Sequence, residues 1–254
     1  MKKIISLLCV LLLLGLCACG KEKAAPTAAK PQATTPSEEV SAMDVLLAAM
    51  AKLQAEKSFA ITVDSTTEYG DATNLNTEQL QTVGKFQKAE SGYVALITNS
   101  ENFGVYMCGA EIYRTQQTTP ESKDQDHTIQ VVLDEFYRYT GFHSLTLEDF
   151  AAKEPQRTNN ADGSITFTLP EVSVQDYSWL VSGKEMSEQE AAQYVSKGIS
   201  ISFTVDAKGY LSGAEVNFAW ATPEGDQQSR MHAVYTVSQI GEDLNIQAPD
   251  WTTG

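Results

Sequence analysis

Beyond its first twenty residues the chain has a single cysteine, Cys108, while Cys9, Cys17 and Cys19 crowd the N-terminus. No internal disulfide framework is available to the body. Basic residues are scarce, with 18 Lys and Arg against 33 Asp and Glu, a formal charge of −15. That balance argues against nucleic acid and other partners bound by neutralising many phosphates. Histidine is nearly absent: His127, His143 and His232 stand far apart, without His-x-x-x-His or His-Glu spacing, so the sequence implies no metal and no cofactor. Gly-x-Ser-x-Gly, the P-loop, Gly-x-Gly-x-x-Gly and the Ser-x-x-Lys set are all missing, which removes the usual supports for hydrolase and nucleotide chemistry. The adjacent pairs Asp134-Glu135 and Glu148-Asp149 diverge by about 100° on a helix and read as solvated faces, not catalytic pairs. Asp124, Asp126 and His127 lack the glycine and bidentate glutamate of a calcium loop and read as a polar loop.

A long apolar run is also lacking. The stretch from Ile4 to Ala18 is fifteen residues, shorter than the ~20 a stable membrane-spanning helix needs. Lys2 and Lys3, the apolar core after them and the small-residue exit Gly15-Leu16-Cys17-Ala18 instead have the order of an export signal. Leu16-Cys17-Ala18-Cys19-Gly20 resembles the lipobox of bacterial lipoproteins. The resemblance implies that residues 1–18 are cleaved and that the Cys19 sulfur carries diacylglycerol through a thioether. The protein would then be held on the extracytoplasmic face of a membrane without spanning it, since two acyl chains anchor stably where one does not. A plain secretion signal or a Cys-x-Cys pair would leave the polar, proline-bearing stretch after Cys19 unexplained. Cleavage removes two lysines and no acid, which takes the charge to −17.

Residues 19–40 hold Pro26, Pro31 and Pro36 among Lys, Ala, Thr and Gln, with no apolar period. This reads as a tether, reaching about 25 Å as a coil and about 60 Å if extended. Residues 41–254 read as a single domain. Ser41 and Asp44 have capping spacing, and Met43, Leu46, Leu47, Met50 and Leu53 share a helical face that should end near Glu56. Period-two alternation marks strands at Phe59 to Val63, Gly92 to Thr98, Phe103 to Tyr113, Ile165 to Leu169 and, weakly, Gln81 to Ala89. Ile129, Val132, Leu133, Phe136 and Tyr137 have helical spacing with Gly141 at the C-cap position. Further helices are expected from Thr146 to before Pro155 and from Ser187 to Gly198. Val172 to Val181 fits a strand or an ordered loop equally. Ile199 to Val205, the turn Asp206-Ala207-Lys208-Gly209, Ala214 to Trp220 and Met231 to Val237 form an antiparallel meander.

The order of lipobox, tether, Met- and Leu-rich helix, meander with inserted helices and late FTVDAKGYLSGAEVNF hairpin resembles the lipoprotein-localisation-factor superfamily of LolA, LolB, LppX and LprG. The resemblance covers about Ser41 to Trp251 and departs from the family in an insertion from Ser122 to Pro155. It implies an α+β fold: a strongly curved antiparallel half-barrel whose concave face is covered by helices, with an apolar cavity between them for acyl chains. The residues agree, because a single curved sheet of about seven strands has one apolar face that amphipathic helices must cover. Phe59, Ile61, Ile201, Phe203, Val216, Phe218 and Tyr235 would line that boundary, as ligand contacts or as core. Cys108, inside the apolar stretch Val105 to Ile112, reads as a buried thiol. The expected protein is a monomeric, non-enzymatic envelope lipoprotein binding a lipid or other apolar ligand. The alternative is an interaction module without a cavity, binding a protein partner or a glycan, the latter on the aromatics Tyr93, Tyr106, Tyr113, Trp179 and Trp220.

Overall fold

Alternation of side chains, continued far past the short runs visible in the sequence, draws most of the chain into one sheet. The structure is a computed structural model describing residues 40–71, 73–90, 92–117, 119–140, 154–169, 189 and 192–252. The export signal, Cys19, the tether, Gly141, the helix from Thr146, the start of the helix from Ser187 and Val172 to Val181 lie outside the described residues. Helix α1 (Ala42–Ala55) opens on Ser41, whose hydroxyl accepts the Asp44 N–H at 3.0 Å. It stops one residue before the expected Glu56. Then come β1 (Ser58–Gly70), β2 (Leu75–Ala89), β3 (Gly92–Asn99), β4 (Gly104–Cys108), β5 (Glu111–Arg114) and β6 (Glu121–Ser122). Helix α2 (Ile129–Arg138), capped by Thr128, precedes β7 (Gln156–Asn159), β8 (Ile165–Thr168), β9 (Val195–Val205), β10 (Leu211–Ala221) and β11 (Gln228–Ser238). A 3-10 turn, Asp250–Thr252, closes the described chain.

The eleven strands of the described residues form one open antiparallel sheet in the order β6-β5-β4-β3-β2-β1-β11-β10-β9-β8-β7. The first and last strands lie side by side at its centre, paired from Ala60 with Ser238 to Gly70 with Gln228. This is the expected antiparallel fold with helices, built on a larger sheet than the apolar alternation reveals. The additional strands are polar: Gln156 to Asn159 are all exposed, as are Leu75 to Gln79. Backbone pairing extends them without leaving an apolar period to read.

Three expectations are corrected. Phe103 to Tyr113 is two strands, because Gly109 takes a φ of +57° and turns the chain between β4 and β5. Val195 to Gly198 is not the end of a helix but the start of β9, where Val195 pairs with Ala221 and Ser196 with Trp220. Cys108 is exposed. It follows Met107, which points into the core, so alternation sends the thiol to the other side at the end of β4.

The core lies on one face. Register places Phe59, Ile61 and Val63 of β1 opposite Phe86, Gly84 and Thr82 of β2, and these opposite Ala95, Ile97 and Asn99 of β3. α2 packs there: the Phe136 ring meets Phe86 edge-on at 5.6 Å, and Phe86 in turn lies 5.2 Å from Phe59. Gly84 makes room for it, since a Cβ at that position would stand 2.6 Å from Phe136 Cδ2. α1 buries Met43, Leu46, Ala49 and Leu53 in the same cluster, and its end is tied down where the Tyr93 hydroxyl donates to the Gln54 carbonyl at 3.2 Å.

Candidate functional site

All seven residues assigned from the sequence to an apolar boundary lie on the helix-bearing face. Val63 of β1 stands opposite Tyr235 of β11, Tyr235 opposite Ala214 of β10, and Ala214 opposite Phe203 of β9, with Val216 opposite Ile201 two pairs along. Phe59, Ile61, Ile201, Phe203, Val216, Phe218 and Tyr235 are all buried and belong to one contiguous cluster. Their polar attachments are few and specific. Tyr235 donates its hydroxyl to the Thr140 carbonyl at 3.3 Å, just beyond α2, and Thr82 donates to the Tyr139 carbonyl at 3.3 Å. Burial pushes the Tyr235 phenol well above its ordinary value. It holds Tyr137 at about 12, with the charge of Asp134 adding to the effect.

Helix α2 is also pinned by charge. Glu135, only 5% exposed, receives Arg114 Nη2 of β5 at 2.5 Å, the Tyr139 hydroxyl at 3.0 Å and the more distant Arg138 at 3.5 Å. Arg114 also reaches Glu121 of β6 at 3.0 Å and donates through Nε to Tyr139 at 3.3 Å. Burial pulls the Arg114 pKa down, but the Tyr139 bond and the Glu135 charge outweigh it and hold the guanidinium above its ordinary value. At the other end of α2, the buried His127 carries its ring Nε2 to 3.1 Å from the Glu111 carbonyl and accepts the Tyr93 N–H on its own carbonyl at 2.8 Å. The polar loop expected around Asp124 to His127 is thus stitched to the β4–β5 turn.

Along the strands, away from these ties, the apolar face changes character. Ile199 and Phe218 are buried, Met231 and Trp220 are half-buried, and Tyr69 is 45% exposed. Tyr194 meets the Trp220 ring edge-on at 4.6 Å at that end. The aromatics considered as a sugar platform do not assemble: Tyr93 and Trp220 belong to the apolar face at opposite ends, while Tyr106 and Tyr113 pair at 6.0 Å on the other face. Trp179 lies outside the described residues.

The opposite face is polar and holds an open groove of about 740 Å³. Its walls join Thr66 and Glu68 of β1, Arg230 and His232 of β11, Asn217 of β10, Lys197 and Ser200 of β9, Thr168 and Gln156 to the apolar Leu169, Ile199, Phe218 and Met231. His232 Nδ1–H donates to Asn217 Oδ1 at 2.8 Å, and Asn217 Nδ2 donates on to Glu215 at 3.4 Å. Arg230 stands 3.9 Å from Glu68. Sequence reasoning does not single these residues out. The signal that points to them is Gly198, a glycine isolated within an alternating run, which marks a bulge as readily as a helix end. Among the described residues no His, Cys, Asp and Glu side chains gather in a group fit to hold a metal. None of the described helices is long and apolar enough to cross a membrane.

No protein-family model matches the chain, and no curated protein matches it. Solved structures do. A DUF1329 family protein from Desulfovibrio piger is 12% identical, over 81% of this chain and 93% of its own, with a TM-score of 0.28. An outer membrane lipoprotein-sorting protein domain, so described, from Vibrio parahaemolyticus is 9% identical over 83% and 96%, TM-score 0.24. The ywiB protein from Bacillus subtilis is 10% identical over 71% and 93%, TM-score 0.19. A lipoprotein-sorting domain is thus among the similar structures. TM-scores of this size carry no argument about ligand, which leaves that question to the chain's own residues.

Proposed function

We propose that this is a membrane-anchored extracytoplasmic lipoprotein that binds a lipid or other apolar ligand between a curved, half-barrel sheet and its helices. One observation carries the reading: along β10 the apolar face runs without a break from Ala214 through buried Val216 and Phe218 to half-buried Trp220, with half-buried Met231 beside Phe218 and the exposed ring of Tyr69 beyond Ser229. A face that served only as core would be expected to end in polar side chains where burial ends; this one ends in aromatics, which suit the mouth of an apolar site. α1 supports the same reading, since Val45, Leu47 and Met50 extend its apolar surface beyond its buried stripe. Phe218 and Ile201 would then touch ligand toward the mouth, with Phe59, Ile61, Phe203, Val216 and Tyr235 forming the floor deeper in. The activity is binding, with no chemical step and no cofactor. Lipidation at Cys19 would place the domain beside the membrane that supplies the ligand, a geometry that suits a receiver or sensor of lipid better than a freely diffusing carrier.

Native mass spectrometry of the mature protein, purified from membranes in mild detergent, tests both parts. The reading expects a diacylglyceryl-sized addition at the N-terminus and a second, non-covalent mass of an acyl lipid. A protein that is acylated but consistently empty removes the ligand. A Cys19→Ala variant that still fractionates with membranes, together with a mature protein of unmodified mass, removes the anchor.

A further inference from the structure

The groove opens on the polar face, borders Ile199, Phe218 and Met231 of the apolar strand positions, and is shaped by one irregularity in the sheet. Below Gly198, β9 alternates regularly: Ile199 and Ile201 point to the apolar face, Ser200 and Ser202 to the polar one. Continued upward, that alternation would put Lys197 among the apolar side chains. It does not, because the pairing of β9 with β10 shifts between Ala219 and Trp220: Gly198 pairs with Ala219 and Ser196 with Trp220, so Lys197 is the extra residue of a β-bulge. The bulge needs Gly198, whose φ of +128° is one that residues with a Cβ rarely adopt. A Cβ built there meets nothing within 4 Å, so conformation and not crowding demands the glycine, and the space above it is open groove. The bulge therefore turns a lysine away from the core and into the groove.

Lys197 of β9 lines the same groove as Arg230 and His232 of β11, across the intervening β10, in a chain where acids far outnumber bases. Among the described residues Lys197 has no ion-pair partner, and Arg230 has only Glu68 at the loose distance of 3.9 Å. The His232 Nδ1–H is committed to Asn217, with Glu215 Oε1 3.7 Å from the same nitrogen, which leaves Nε2 for a ligand. Around these cations stand hydroxyl and amide groups: Thr66, Thr168, Ser200 and Gln156. We propose that this groove binds a small anionic polyol, a single phosphate group on a hydroxyl-rich body, with Lys197 and Arg230 holding the phosphate and the Thr, Ser and Gln side chains meeting the hydroxyls. Guanidinium and ammonium groups suit phosphate oxygens, the first by paired donors and the second as a point charge. The chain's net charge opposes long polyanions but is screened beyond about 10 Å in ordinary salt, so it does not govern one anion among these side chains.

Isothermal titration of the whole mature protein tests this, with glycerol 3-phosphate as the free probe, glycerol as the uncharged control, and phosphatidylcholine vesicles with and without phosphatidylglycerol as the lipid-borne form. The proposal expects binding to the phosphate probe or to the phosphatidylglycerol vesicles, none to glycerol, and at least tenfold weaker binding in Lys197→Gln and in Arg230→Gln. Whichever form binds more tightly identifies a free or a lipid-borne ligand. Both residues are exposed, so the variants should melt with the parent protein, which separates loss of binding from loss of fold. Absence of binding to both phosphate forms, or equal binding by parent and both variants, overturns the proposal. So does equal binding of glycerol. Acyl lipid found by native mass spectrometry is expected to be unaffected by either substitution, so this site and the apolar one can fail independently.

Discussion

The same strands make two faces of opposite character. On one, Phe59, Phe86, Phe136 and Phe167 are shut away with helices against them; on the other, Thr66, Asn217, Arg230 and His232 line a groove open to solvent. A period of two along each strand is enough to separate them, and a one-residue slip would exchange them. The faces are therefore held apart by register, and Lys197, which the regular period would place on the wrong side, sits at one of the two places where the pairing of β9 with β10 shifts. On the apolar face substitution should cost stability; on the polar face it should cost only what is bound there.

The largest effect should come from Phe86→Ala. Phe86 is fully buried between Phe59 and Phe136, so its loss leaves a cavity at the seam of sheet and α2 and should cost about 3–5 kcal/mol by denaturant unfolding. Glu135→Gln should come second at about 3 kcal/mol, because it leaves the Arg114 guanidinium without its buried counter-charge. Loss of helix docking should also show as increased hydrogen exchange in α2. Alkali should act next. Tyr137 at about 12 and Tyr235, raised well above its ordinary value, are favoured as neutral phenols in the folded protein, so their contribution is complete below the ordinary tyrosine value near 10 and is lost as pH rises through the folded values. Ultraviolet titration should show these two ionising last, together with Tyr106, which burial also raises to about 12; simultaneous ionisation of all tyrosines would refute the burial. The smallest effect belongs to Cys108→Ser, within about 0.5 kcal/mol for an exposed side chain. With Cys19 acylated, Cys108 should be the one thiol that reacts with Ellman's reagent in the native protein.

Legibility in the sequence divides along the same two faces. α1, α2 and the strands of the apolar face announce themselves through spacing, and the seven boundary residues can be read because burial imposes a pattern on sequence. Gln156 to Asn159 and Leu75 to Gln79 carry no such pattern; hydrogen bonding to neighbours makes them strands. Cys108 misleads because its apolar stretch reads as buried throughout, whereas β4 ends there and Gly109 turns the chain. Lys197 reads as part of a helix end for a related reason: the glycine after it signals interruption without saying of which element. Beyond that glycine the polar groove leaves no trace in the pattern, because exposed side chains need follow no apolar period and Thr66 and Glu68 join it only through the pairing of β1 with β11.

The most direct test of the account is whether a fatty acyl chain reaches the aromatic end of the apolar face. In a protein with Trp179→Phe and Trp251→Phe, Trp220 is the remaining tryptophan. Its fluorescence, read during titration with brominated stearic acid, should fall saturably, because bromine quenches only at contact, and should respond in the same way when Lys197 or Arg230 is replaced. A Trp220 signal that brominated stearate leaves unchanged, or lowers no more than a brominated short-chain acid does, would contradict an apolar site on this face.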